Sequence, residues 1–384
     1  MVLNPSSSEV YDLAIVGAGP AGAMAAYAAA KRGLKVILLD AKEFPRDKVC
    51  GDAIPYETYK LLQRLEPEWE KELLLHSSNQ LIRRARIHTP NGKNITVQWS
   101  LKAVNSARYD FDHWLLQKVL QSNLIETNFN FRLKEIEKEG NGWLLSSSSD
   151  QIKSKWLVGA GGAHCPVARQ LSNKRTDRTH HCGALRAYFE NIAGLNPIVN
   201  EVYVLKEFVP GYLWIFPLPN GCANVGFGML SSEIVKREID LKQAFEKALA
   251  SKELKSRFQN ATRKSKVMGF DLPLGSKTPI ISGEGYYLAG DAASLIDPLD
   301  GHGIGAAMWS GYEAVQRIAD VLLDGKSESR AAREYYKELD GRFYKKFRLH
   351  RKMLYFSSLS FLLNAISIPY LMRIAGFNTV SDTE

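Results

Sequence analysis

The sequence predicts an α/β chain in which one nucleotide-binding domain is interrupted by a β-rich insertion and followed by a helical C-terminus. Three observations carry that expectation. First, an apolar strand at 12–16 runs into Gly17-Ala18-Gly19-Pro20-Ala21-Gly22 and an alanine-rich helix, and a second strand, Val36-Ile37-Leu38-Leu39, ends in Asp40. Second, two later apolar runs, 155–162 and 285–291, also end in glycines, as strands do when several segments converge on one ligand. Third, the stretch between them has β texture: Val202-Tyr203-Val204-Leu205, Tyr212-Leu213-Trp214-Ile215-Phe216-Pro217 and, after a Pro219-Asn220-Gly221 turn, Ala223-Asn224-Val225-Gly226-Phe227-Gly228.

Each residue of the first unit has a physical task. Gly17 permits the tight turn, Gly19 lets the backbone approach a pyrophosphate, and Gly22 lets the helix pack close to the sheet. Pro20 and Ala21 open a helix whose N-terminal N–H groups and partial positive charge favour phosphate. Asp40 closes the unit where an adenosine ribose needs acceptors. The unit therefore reads as a Rossmann-type dinucleotide site, with Ala160 and Gly161 bringing a second segment to the same cofactor.

Composition limits the remaining choices. At 384 residues the chain holds about two domains, and 45% apolar with 24% charged residues is ordinary globular usage. Cys50, Cys165, Cys182 and Cys222 show no CxxC spacing, which argues against a disulfide framework or a zinc site and fits a reducing, cytoplasmic setting. The first ten residues do not read as a signal peptide, and no run of about 18 apolar residues reads as a spanning helix. A net charge of +9 suits an anionic substrate, a phospholipid surface or nucleic acid.

Along the chain, leucines at helical spacing predict a helix over 56–76. Residues 86–97 alternate around Asn91-Gly92, a hairpin signal. A helix opens near Ala107-Arg108, with Asp110 or Asp112 as N-cap and Trp114, Leu115 and Val119 inward. Strands follow around Gly140-Asn141-Gly142, a helical stretch at 232–258, and a helix after Gly305. The expected division is a discontinuous nucleotide domain (1–78, 100–175 and 275–330), a β-rich substrate domain (79–99 and 176–274) and a helical region (331–384). In that last region, 342–352 is intensely basic with interleaved aromatics, and the apolar stretch after it is broken by Asn364, Pro369 and Arg373. Residues 342–372 thus suit either packing on the protein's own core or peripheral contact with an anionic membrane. No recognition motif accompanies the charge, so nucleic acid is not an expected partner.

Four motifs, reaching from residue 11 to about 311, together resemble the geranylgeranyl reductase family of FAD-dependent oxidoreductases, within the p-hydroxybenzoate hydroxylase-like flavoproteins. They are the nucleotide unit; the loop Pro45-Arg46-Asp47-Lys48-Val49-Cys50-Gly51, similar to the family's P-x-x-K-x-C-G; the strand 210–217, similar to its YxWxFP signature; and Gly290-Asp291-Ala292-Ala293 with Pro298, Gly301, Gly303-Ile304 and Ser310-Gly311. The resemblance implies FAD as cofactor. Asp291 would hold the ribityl hydroxyls, and Gly301, Gly303 and Ile304 would bring N–H groups to the flavin pyrimidine. Arg108 resembles the arginine that reaches the FAD. Cys50 and Gly51 would border the flavin, with Cys50 facing the reacting site, and Lys48 is either a flavin or substrate-phosphate contact or a solvated lysine. Tyr212, Trp214 and Phe216 would line an apolar channel, which is also core.

Two departures qualify the resemblance. Related flavoproteins read GADGxxSxVR where this chain has Gly159-Ala160-Gly161-Gly162-Ala163-His164-Cys165-Pro166-Val167-Ala168. Losing that acid makes NADPH-driven hydroxylation a weaker expectation and leaves NAD(P)H or ferredoxin as electron donor. His302 stands where the family often has another residue; beside a flavin it delivers or relays a proton, and otherwise it is structural. The implied function is reduction of isolated C=C bonds in a prenyl lipid or prenyl diphosphate. The alternatives are an FAD-dependent monooxygenase of an aromatic or apolar substrate and a non-catalytic flavin-containing lipid-binding protein. A flavin halogenase would need tryptophan and isoleucine where Tyr212 and Phe216 stand.

Overall fold

The structure, a computed structural model, describes residues 10–172, 176–363 and 379–380. The chain forms two compact units. Of the described residues, one unit comprises those up to Arg46, within Tyr109–Thr176 and Pro273–Arg348; the other comprises those within Asp47–Arg108, Asp177–Leu272 and from Leu349 onward. Residues 47–78 and 100–108 thus belong to the β-rich unit rather than to the nucleotide unit. The cause is one long strand, Asn94–Ser106, which pairs with Asn79–His88 and, at its end, with Ala53–Ile54.

In the nucleotide unit the strands lie in the order Ser282–Gly283, Tyr286–Leu288, Gln151–Gly159, Val10–Val16, Val36–Asp40 and Ile125–Phe129. Those from Tyr286–Leu288 to Ile125–Phe129 pair in parallel. Leu13, Ile15, Leu38, Leu157 and Val158 are fully buried, which is why these strands read as continuous apolar runs rather than as alternating ones. Helices Pro20–Lys31 and Ile304–Leu322 cross closely: a Cβ on Gly311 would stand 1.9 Å from the Ala21 carbonyl oxygen. The hairpin Glu135–Glu139 and Gly142–Ser146 forms around Gly140 as expected.

The expected helical region is partly core of this unit. The Tyr335 hydroxyl donates to the Leu288 carbonyl at 2.7 Å and the Tyr344 hydroxyl to the Ala293 carbonyl at 2.5 Å, both deeply buried. Several of its cations are also engaged within the unit: Arg342 lies 3.9 Å over the Trp309 ring, Lys346 faces Asp297 at 3.7 Å and Arg348 meets Asp340 at 2.8 Å. No helix among the described residues is long and apolar enough to cross a membrane. Of the segment 342–372, residues 364–372 lie outside the described residues.

The β-rich unit is built on one sheet whose main path runs Thr262–Arg263, His181–Glu190, Ala223–Leu230, Tyr212–Pro217, Val199–Tyr203, Asn79–His88, Asn94–Ser106 and Thr379–Val380. One face carries Leu185, Ala187, Phe189, Leu213, Ile215, Val225 and Phe227, covered by Phe245, Ala248 and Leu249 of helix Leu241–Leu249. Burying each such large side chain contributes about 1.5–3 kcal/mol. The alternate residues therefore line the other face.

Local expectations fail where a breaker or a cap was misread. The 56–76 helix divides into Tyr56–Leu65 and Pro67–Leu75, because Pro67 lacks an N–H and starts a new first turn. The 232–258 stretch becomes Ser231–Lys236, Leu241–Leu249 and Lys255–Phe258, the second capped by Asp240 through the Lys242 and Gln243 N–H groups. Neither Asp110 nor Asp112 is an N-cap. The helix begins at Arg108, whose N–H donates to the Asp52 carboxylate at 3.3 Å, while Asp112 pairs with Arg46.

Candidate functional site

The expected site residues form two groups, one in each unit. In the nucleotide unit, Gly17 has φ 108°, and a Cβ there would stand 2.4 Å from the Ala160 carbonyl oxygen, so the turn admits only glycine. Ala160 itself donates to Val16 at 2.8 Å, and Gly161 packs on Cys165. Helix Pro20–Lys31 starts with proline in its first turn, and no side chain caps it. The Asp40 carboxylate accepts the Ala18 N–H at 2.8 Å and the Lys42 N–H at 2.9 Å, keeping further lone pairs for hydroxyl donors.

The returning segment supplies a second uncapped N-terminus. Gly303 is the N-cap of Ile304–Leu322 and again no side chain closes it. Asp291 stands beside Gly303, 3.6 Å from where a Cβ would be, and Gly301 donates to the Asp297 carbonyl at 3.0 Å. His302 pairs with Asp300 at 3.1 Å. Burial alone would raise the Asp300 carboxyl, but the charge and hydrogen bonds of His302 hold it well below the usual range. Arg46 carries no role in the sequence reading. Its guanidinium stands 3.3 Å from a Cβ position at Gly19, is held at 3.1 Å by the buried Asp112 and lies over Phe44. A cation fixed beside the glycine turn is what a pyrophosphate requires.

The second group lies on the face of the β-rich sheet opposite Leu213, Ile215 and Val225. Strand register produces three rows there: Phe216–Asn224–Tyr188, Trp214–Gly226–Arg186 and Tyr212–Gly228–Ala184. Tyr212, Trp214 and Phe216 are spaced 6.1 and 6.3 Å apart between ring centroids. Gly226 makes room for the tryptophan, since a Cβ there would lie 2.0 Å from its ring.

The loop 47–52 lies on this face. Gly51 sits against Phe216 and Trp214, at 3.3 and 3.6 Å from a Cβ position. Asn224 ties the arrangement together: its carbonyl accepts the Trp214 indole N–H at 2.9 Å, and its amide donates to the Cys50 carbonyl and to the Asp52 carboxylate, both at 2.7 Å. The Tyr188 hydroxyl donates to Asp52 at 2.8 Å, and Arg186 holds Asp47 at 2.5 Å. Burial pushes Asp52 up to about 6, against the pull of Asn224, Tyr188, Arg186 and Arg108. Burial likewise raises the Cys50 thiol, which Arg108 and Lys48 partly offset. Lys48 lies 3.3 Å over the Phe270 ring. Asp52, Arg186, Tyr188 and Asn224 were not expected from sequence; only the position of Asp52 directly after the cysteine-glycine pair pointed toward it.

A glycine turn backed by a ribose-directed acid, a returning glycine-aspartate segment with a second open helix terminus, and an attached β-rich unit define a two-unit dinucleotide-dependent flavoprotein. The chain belongs to the FAD binding domain family, whose profile matches residues 10–340, and it is an FAD-dependent oxidoreductase. It is 28% identical over 332 residues to the menaquinone reductase of Mycobacterium tuberculosis, covering 83% of this chain and 78% of the relative. It is 26% identical over 344 residues to the digeranylgeranylglycerophospholipid reductase of Methanosarcina acetivorans, covering 86% and 80%. A geranylgeranyl bacteriochlorophyll reductase-like crystal structure from Thermoplasma acidophilum shares the fold with a TM-score of 0.78 at 23% identity, over 90% of this chain and 88% of that one.

The donor set fits FAD. Two uncapped helix N-termini and Arg46 suit the pyrophosphate and the flavin carbonyls, and Asp40 and Asp291 suit ribose and ribityl hydroxyls.

Proposed function

We propose that the protein reduces isolated C=C bonds in the prenyl chain of a lipid or prenyl diphosphate. The observation that carries this reading is the aromatic row Tyr212, Trp214 and Phe216, opened by Gly226 and overlain by the Cys50 loop. Such a face offers a flexible chain apolar contact and excludes water, while only a few polar groups converge on it. The relatives named for menaquinone and for digeranylgeranylglycerophospholipid support a prenyl-bearing substrate. Bound FAD would supply the hydride. In the nucleotide unit, Gly19, Arg46 and the helix at Pro20 would anchor the pyrophosphate, while Asp40 and Asp291 would hold the hydroxyls. Ala160, Gly161, Gly301 and Ile304 would shape the cradle. In the β-rich unit, Cys50 would border the reacting bond, and Lys48 and Arg108 would offer positive charge. His302, paired with Asp300, would be oriented by that carboxylate.

The test is product analysis. Dithionite-reduced holoenzyme is incubated anaerobically with geranylgeranyl diphosphate, digeranylgeranylglycerophospholipid and menaquinone, and products are weighed by mass spectrometry. A prenyl product that has gained hydrogen, with flavin reoxidation, is expected. Unchanged prenyl chains there, with NAD(P)H-driven and O2-consuming hydroxylation of an aromatic compound in a separate aerobic incubation, would establish the monooxygenase instead.

A further inference from the structure

Saturating an alkene takes a hydride at one carbon and a proton at the other, and the source of the proton is the open chemical question. We infer that Asp52 and Tyr188 form a proton relay, with the Tyr188 hydroxyl giving the proton to the alkene carbon and the Asp52 carboxyl replacing it. This inference rests on the prenyl-reductase reading above and deepens it.

The geometry is that of a two-member relay. Asp52 is fully buried and does not meet substrate itself. Tyr188 is half-buried and shares a cross-strand row with Asn224 and Phe216, on the face with the aromatic residues. Its oxygen lies 2.8 Å from Asp52 Oδ2. With Asp52 ionised the phenol donates to the carboxylate; with Asp52 protonated the carboxyl can donate to the phenol oxygen, which frees the phenol proton for the face. Asn224 holds the carboxyl in place at 2.7 Å, with its own amide oriented by Trp214.

The groups facing Asp52 are Cys50 on its own loop, Arg108 after the Asn94–Ser106 strand, Arg186 and Tyr188 on His181–Glu190, and Cys222 ahead of Ala223–Leu230, with Asp47 beyond Arg186. Among these acids, burial raises the Cys50 thiol and the Tyr188 phenol, the latter far above its ordinary range with the adjoining carboxylate adding to the effect. Asp52, at about 6, is the strongest acid of the three and holds its proton below about pH 6. The balance is complete: two electrons and one hydrogen come from the reduced flavin, one proton passes from Tyr188 to the second carbon, and the Asp52 proton passes to Tyr188. The proton is then restored to Asp52 from solvent by way of the half-buried Tyr188.

The test uses holoenzyme, geranylgeranyl diphosphate as probe, and infrared difference spectroscopy of the Asp52 carboxyl. In the wild type the protonated-carboxyl band fades as pH rises through about 6, and the single-turnover rate falls over the same interval. Asp52→Asn loses the band and the pH limb and slows turnover by roughly a hundredfold at pH 5.5. Tyr188→Phe slows turnover similarly while its Asp52 band still titrates, which separates a broken relay from a damaged carboxyl. Turnover of Asp52→Asn or Tyr188→Phe within threefold of wild type, or an unchanged pH limb in Asp52→Asn, overturns the relay. A wild-type enzyme that leaves every prenyl substrate unchanged overturns the reductase reading instead, and the infrared titration is unaffected.

Discussion

Glycine does different work in the two units. At Gly17 the backbone needs a left-handed φ and close approach to Ala160, so the residue shapes a cradle for the pyrophosphate that dinucleotides share. At Gly226 φ is ordinary and the need is space: a Cβ would stand 2.0 Å from the Trp214 ring and 2.5 Å from the Leu185 carbonyl oxygen, so the ring can lie across the strand only where no side chain stands. The first kind of glycine marks a cofactor class, and the second shapes the face proposed above to receive substrate. Cofactor loading and substrate turnover should accordingly separate by mutation.

The largest expected effect breaks the cradle. In Gly17→Ala the added methyl meets the Ala160 carbonyl at 2.4 Å in a left-handed turn, so flavin content of the purified protein, read by visible absorbance, should drop below about a tenth of wild type. Normal flavin loading would contradict the cradle. Gly226→Val sharpens the other side. Its side chain displaces the Trp214 ring and presses on the Leu185 carbonyl of the β-rich sheet, and prenyl reduction should fall about a hundredfold with flavin content unchanged. Joint loss of both would show that the two glycines do not serve separable functions.

A smaller effect concerns stability. The folded pKa of Asp52 is raised from 3.8 to about 6, so between those values the folded state binds more protons than the unfolded chain. Its stabilising contribution is therefore full below about pH 4 and lost as pH rises through about 6. Two pKa units correspond to about 3 kcal/mol, of which the greater part is lost between pH 4 and pH 7 because the titration begins below pH 4. Relative to wild type, Asp52→Asn should gain about 2 kcal/mol between pH 4 and pH 7 in denaturant unfolding. A constant difference across that range would mean that Asp52 does not carry a raised pKa. The smallest effect is at Lys48, whose ammonium rests on Phe270. Lys48→Ala should raise KM for geranylgeranyl diphosphate about fivefold, within the range of one half-buried cation contact, and leave KM for an uncharged prenyl lipid unchanged.

The same contrast explains how far the sequence could be read. The cofactor cradle is local: Gly17, Gly19, Gly22 and Asp40 lie within one βαβ unit, and spacing alone announces them. The aromatic strand was legible because Tyr212, Trp214 and Phe216 alternate on one segment. Arg186, Tyr188 and Asn224 were not, since they meet Asp52 only through the pairing of His181–Glu190 with Ala223–Leu230, and register is a long-range property. Arg46 was hidden for a similar reason, because Asp112, which holds it, looked like a helix cap. At Pro67 two local signals conflict, leucine periodicity for one helix and a proline for a break, and the proline prevails because it has no N–H to give.

The most direct test of the account weighs the product. Reduced holoenzyme acting on digeranylgeranylglycerophospholipid, menaquinone and geranylgeranyl diphosphate should yield at least one prenyl chain heavier by two hydrogens per saturated bond, with oxidised flavin left behind. Complete recovery of all three substrates at their original mass, with the flavin still reduced, would contradict it.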